Sequence, residues 1–221
     1  IALPSVQINA QIFFRTGIDG SEARLDYAFA DWQLDPALNV RFGKAKHPFG
    51  IYSEVAGLGT VRPFLNLPQA IYGPVALASR SYNGVGIQGD VAVGGGWSLV
   101  YDFYGGGIEF AQEESALILF ARPLVEENLP VNPFKSENVV GGRLQVGPPF
   151  DGVRVGASFY SGRPDLPDGA DINRYWTWGI QGEYVVDETW IRVEFVKQRD
   201  RLPALEDRET AYYVEVARYL S

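Results

Sequence analysis

Residues 175–195 read YWTWGIQGEYVVDETWIRVEF, and their alternation decides the fold. Trp176, Trp178, Ile180 and Tyr184 share one face of an extended chain, with Thr177, Gln181 and Glu183 on the other. After a break at 186–188 the phase resumes, Ile191, Val193 and Phe195 opposing Arg192 and Glu194. Successive side chains on a strand point to opposite faces, so each segment has one apolar and one charged face. Alternation sustained over this length predicts strand and excludes amphipathic helix.

The pattern repeats in about ten segments of about 9 to 12 residues. Val6, Ile8, Ala10, Ile12 and Phe14 oppose Gln7, Asn9, Gln11 and Arg15; Ala23, Leu25, Tyr27 and Phe29 oppose Glu22, Arg24 and Asp26. Leu38, Val40 and Phe42 oppose Asn39 and Arg41, and Val85, Ile87 and Val91 oppose Gln88 and Asp90. Beyond the Gly94, Gly95, Gly96 turn, Trp97, Leu99, Tyr101 and Phe103 oppose Ser98 and Asp102. Val140, Leu144 and Val146 then oppose Arg143 and Gln145, and Val153, Val155, Ala157 and Phe159 oppose Arg154 and Ser158. In the last segment Tyr212, Val214 and Val216 oppose Tyr213 and Glu215.

A soluble sandwich has the same periodicity, with its apolar faces buried against each other. Long segments, glycines on both faces and Trp, Tyr and Phe near the apolar strand ends match instead a barrel with an apolar outer band, aromatic girdles and a polar lumen. Connections agree: short links near 33–37, 92–96, 147–151 and 186–188 alternate with longer ones near 47–80, 105–138, 161–173 and 198–209, as outer-membrane barrels alternate turns and external loops. The expected fold is all-β, a transmembrane antiparallel up-and-down β-barrel with about ten strands in this chain. Residues 1–221 form one such domain, with long external loops near 47–79 and 105–137. Lys44 and Lys46 interrupt the apolar phase of the third segment, which predicts either a bulge at Gly43 or lysines reaching the headgroup level. Lys197 ends its segment in the same way.

Several classes are excluded. No run approaches the roughly 18 apolar residues of a membrane-spanning helix. The absence of cysteine removes disulfide frameworks and thiolate metal sites. A net charge of -8 without clustered basic residues disfavours nucleic acid as partner. His47 is the only histidine, leaving no paired imidazole for a metal and no Ser-His-Asp arrangement. The adjacent carboxylates Glu113 and Glu114 cannot flank a glycosidic bond, and suit surface charge or divalent cations bridging lipopolysaccharide. Gly94 to Gly96 and Gly105 to Gly107 end strands and precede no helix, so they do not cradle phosphate. Non-enzymatic function without cofactor or metal is the expectation.

The stretch from Leu25 to Tyr104 resembles a family of bacterial outer-membrane porins, related in layout to the phosphate-selective porin group and its uncharacterised relatives. The residues that carry the likeness are 27–32 (YAFADW), 38–50 (LNVRFGKAKHPFG), Tyr52-Ser53-Glu54, Arg62-Pro63, Leu67-Pro68-Gln69, Ile71-Tyr72-Gly73 and the strand from Gly84 to Gly89. The resemblance implies a pore of about 16 strands, commonly trimeric, in a Gram-negative outer membrane. By that standard the sequence begins and ends within a sheet pattern, and strands are expected to be missing at both ends.

Candidate pore-lining residues follow from the polar phase: Arg15, Glu22, Arg24, Asp26, Arg41, Asp90, Asp102, Arg143, Arg154, Glu183, Arg192, Glu194 and Glu215. Facing rows of opposite sign create a transverse field that orients solutes; the plainer alternative is that they neutralise one another as cross-strand pairs. Loops long enough to fold inward supply a constriction, and the candidates there are His47, Glu54, Arg62, Glu113 and Glu114. The leading expectation is passive diffusion of small polar or ionic solutes, with outer-membrane lipid and lipopolysaccharide outside. The alternatives are a plugged structural or adhesive barrel, favoured by apolar Val61, Phe64, Leu65 and Leu67 in a loop, and a soluble carbohydrate-binding β-domain using Tyr175, Trp176 and Trp178.

Overall fold

Alternating β-branched and aromatic residues fit a pleated sheet better than any helix, and the computed structural model forms ten strands where the pattern occurs. They are β1 (Ser5–Gly17), β2 (Gly20–Asp35), β3 (Leu38–Lys46), β4 (Ser81–Gly94), β5 (Trp97–Glu109), β6 (Lys135–Gly147), β7 (Val153–Asp165), β8 (Tyr175–Val186), β9 (Thr189–Arg201) and β10 (Glu206–Arg218), with one short helix among the described residues, α1 (Gln69–Tyr72). The structure describes residues 5–17, 20–55, 67–72, 77–109, 135–165, 174–201 and 206–218. Each strand pairs antiparallel with its sequence neighbour, giving one open up-and-down sheet in the order β1 to β10. No helix among the described residues is long and apolar enough to cross a membrane.

Tight links at 36–37, 95–96, 148–152 and 187–188 lie at one end of the sheet. The β4–β5 link needs its glycines: Gly94, Gly95 and Gly96 all have positive φ, a region where a Cβ is disfavoured. At the other end, 47–80 is a long excursion as expected, but the remaining links are shorter than the sequence suggests. Pairing of β9 with β10 runs on to Arg201 and Glu206, leaving only 202–205 as the link. Residues 105–109, 135–138 and 161–165 likewise belong to strands. Charged and glycine-rich stretches break the apolar alternation there, and the ladder continues through register shifts between Gly106 and Ile108 and between Glu137 and Val140.

The two faces of the sheet carry different chemistry. Val6, Ile8, Phe14, Phe42, Val85, Phe103, Leu144, Phe159, Trp178, Ile180, Val193, Tyr212 and Val214 all stand exposed on one face. Buried hydrophobic residues lie on the opposite, polar face, where segments 47–55, 67–72 and 77–80 pack onto the strands. Phe49, Tyr52, Ile71 and Leu77 from the excursion meet Tyr82, Tyr104, Val139, Tyr160, Tyr175 and Val196 from the sheet. The apolar faces therefore do not meet across a dry interior as in a sandwich.

In β2 the assigned faces need correction. Gln11 pairs with Tyr27 and Ile12 with Leu25, so Asp26 is an extra residue and the phase reverses there. Leu25, Trp32 and Leu34 are exposed, whereas Phe29 packs against the buried cluster on the polar side and Asp31 sits opposite Arg41. The irregularity expected at Gly43 thus lies one strand away; Gly43 has a φ of 118° but keeps the β3–β4 register. Both lysines find partners beside the bulge. Lys44 Nζ donates to the Leu25 carbonyl at 2.8 Å, and Lys46 Nζ pairs with Asp26 at 2.5 Å.

Candidate functional site: an inward excursion seated on a charged wall

The excursion begins where β3 ends. His47 is fully buried; its Nδ1–H donates to the Ser79 carbonyl at 3.2 Å and its Nε2 accepts from the Tyr104 hydroxyl. Tyr104 and Tyr160 meet the imidazole edge-on, and Phe49 stacks beside it. Burial, opposed by the bond to Ser79 and reinforced by nearby Arg143, pushes the imidazole pKa down to about 3, so the ring is neutral. It directly follows Lys46, the last residue of β3, and precedes Pro48.

Beyond it, Gly50 turns the chain with a φ of 63°. Its N–H donates to Ser158 Oγ at 3.0 Å, and its carbonyl accepts from Arg143 Nη1 at 3.4 Å. The Tyr72 hydroxyl, at the end of α1, accepts from the N–H groups of Ile51 (2.8 Å) and Tyr52 (3.2 Å) and donates to Glu194 Oε2 at 2.6 Å. Burial, with Glu194 adjacent, holds the Tyr72 phenol well above its usual pKa and so keeps it a donor. Tyr52 donates to Glu215 Oε2 at 2.5 Å while accepting from Arg192 Nη1 at 2.7 Å. Glu54 completes the seat through Arg143, which also bonds Asp102 at 2.8 Å.

The wall beneath has a regular charge order. Glu215, Arg192, Glu183 and Arg154 are successive cross-strand partners on β10, β9, β8 and β7. The next row runs Tyr213, Glu194, Gln181, Gly156 and Gln145. Between these rows and residues 51–55 lies a cavity of about 280 Å³ lined by Ile51, Tyr52, Glu54, Val55, Arg143, Gln145, Arg154, Gln181, Glu183 and Arg192.

Most sequence-predicted wall residues on β5 to β10 therefore converge. Arg143, Arg154, Glu183 and Arg192 line the cavity, Asp102 braces Arg143, and Glu194 and Glu215 anchor the excursion. Others lie apart. Arg41 forms a two-pronged pair with Asp31 (2.7 and 3.0 Å), Asp26 is held by Lys46, and Asp90 is exposed opposite Val100. In backbone register Arg15 faces Glu22 and Arg24 faces Phe13; the side chains of all four lie outside the described residues. Arg62, Glu113 and Glu114, with Val61, Phe64 and Leu65, also lie outside the described residues, while Leu67 is buried. Trp176 and Trp178 are exposed on one face but Tyr175 is buried on the other, donating to Ser136 Oγ at 2.9 Å, so the three form no common platform. Among the described residues no three His, Asp or Glu side chains converge to hold a metal.

Sequence reasoning missed Asp31, Tyr52 and Tyr72 as parts of this polar face, and placed Ser158 there without a role. Asp31 was detectable, because the exposed set moves from odd to even numbers between Leu25 and Trp32. Nothing local marks Tyr72, whose partners lie 20 or more residues away. In comparison with known proteins, no family model matches the chain and no curated protein matches it in sequence, so the porin likeness rests on the quoted segments alone.

Proposed function

We propose that this chain is the wall and inward excursion of a bacterial outer-membrane β-barrel, through which small polar or ionic solutes diffuse without any covalent step. One observation carries the reading: all ten strands present large apolar side chains exposed on one face, while the charged face is the one that is covered. In water so large an apolar surface would aggregate, whereas hydrocarbon is its natural surrounding. Strand length agrees. Thirteen residues in β1, β5, β6, β7, β9 and β10 at about 3.3 Å rise, tilted by about 45°, cover about 30 Å, the thickness of a bilayer core. Outward Trp32, Trp97 and Tyr184 near the tight-link end, and Trp176 near the other, suit interfacial girdles. Lipid and lipopolysaccharide would contact this face, and a trimer is the assembly the family resemblance implies.

The lumen-side charges, with a passage narrowed by residues 51–55, supply the constriction of such a pore. Purified full-length protein in planar bilayers should give discrete conductance steps; a barrel that forms by gel mobility yet conducts nothing would refute diffusion. The plugged-barrel reading has its own support, since the excursion is bonded to β6, β7, β9 and β10 at once. It requires silent bilayers in wild type and conductance after the excursion is released.

A further inference from the structure

We infer that Arg154 sets the charge preference of the passage, as the cavity-lining cation left open to a passing anion; the inference rests on the pore reading above. Three arginines line the cavity, and two are engaged by carboxylates. Arg143 is held between Asp102 and Glu54, with only 8% of its side chain exposed. Arg192 binds Glu183 through Nε and the Tyr52 hydroxyl through Nη1, and that hydroxyl passes on to Glu215. Arg154 is exposed, and its register partner is the same Glu183 that Arg192 has taken. Toward β6 the ladder ends at Val146 and Val155, one residue short of it, so that side supplies no acid in register. The excursion's nearby carboxylate, Glu54, is committed to Arg143.

Charge pairing decides what a solute meets. A guanidinium locked to a carboxylate presents a dipole whose field fades quickly, whereas an open one presents a full charge and a planar fork of donors suited to oxyanions. Glu194 does not offset it, being buried beneath the excursion with its Oε2 on Tyr72. A single fixed charge at a narrow point raises the local concentration of the opposite ion and lowers that of its own sign. The row Glu215, Arg192, Glu183, Arg154 therefore alternates in sign and ends on an unspent positive charge, which would favour small anions such as chloride or carboxylates over cations of similar size.

Reversal potentials under a potassium chloride gradient test this on full-length protein in planar bilayers. Arg154→Lys should retain the wild-type potential. Arg154→Gln should lower the chloride-to-potassium permeability ratio by about fivefold, the scale of one unit charge acting at contact distance in water, and Arg154→Glu should lower it further. Open channels of Arg154→Glu with an unchanged reversal potential would overturn the inference. So would loss of channels in Arg154→Gln, because the side chain would then be holding the wall and not meeting the solute. Wild-type protein that forms a barrel but opens no channel would instead overturn the pore reading, and this inference with it.

Discussion

At His47 a single side chain joins the fold to pH. Its native pKa of about 3 lies below the ordinary 6.5, so the released or unfolded chain takes up a proton first as pH falls. This site contributes no pH dependence above 6.5, costs up to about 1.4 kcal/mol per pH unit between 6.5 and about 3, and levels off below. The temperature at which the protein loses its folded gel mobility should fall across that window, and His47→Gln should flatten the difference profile. Gly50 is a second sensitive residue. Its left-handed φ and the Glu194 and Tyr72 oxygens that a Cβ would overlap make Gly50→Ala cost about 1 to 3 kcal/mol, read as a lower transition temperature. Arg143→Met would leave the buried Asp102 carboxylate without its cation and should cost about 3 to 5 kcal/mol, with larger or noisier conductance as the excursion loosens.

Strands express the difference between faces most sharply. Ile180, exposed near the middle of β8, and Gln145, on the cavity side of β6, differ in what surrounds them. Ile180→Arg should cost about 2 to 4 kcal/mol if that face meets hydrocarbon, seen as a lower yield of heat-modifiable protein on refolding into lipid. Gln145→Arg should refold normally and alter conductance. Equal tolerance at both positions would count against lipid on the apolar face. The excursion between β3 and β4 behaves as an element too, although only four of its described residues are helical. Hydrogen bonds to β5, β6, β7, β9 and β10, not internal regularity, hold it against the wall.

For the whole molecule, the sheet is open in the sense that β1 and β10 pair on one side only. Unpaired backbone groups in hydrocarbon each cost several kcal/mol, so a membrane barrel requires these edges to be paired. Unboiled full-length protein extracted with detergent should migrate differently from the boiled sample, reporting a closed barrel. Migration that heating does not alter, or solubility without detergent, would point away from one.

Local alternation in the sequence determined the strands, their antiparallel order and, outside β2, which face each side chain takes, because period two is a property of neighbouring residues. The shift in β2 escaped because a bulge is set by pairing with β1, although the later even-numbered positions Trp32 and Leu34 carried its trace. Arg143, Arg154, Glu183 and Arg192 were legible as one polar phase. Only the tertiary structure decided which of them are spent on Asp102, Glu54 and Tyr52, since those contacts join residues 41 to 140 positions apart and no local pattern encodes them.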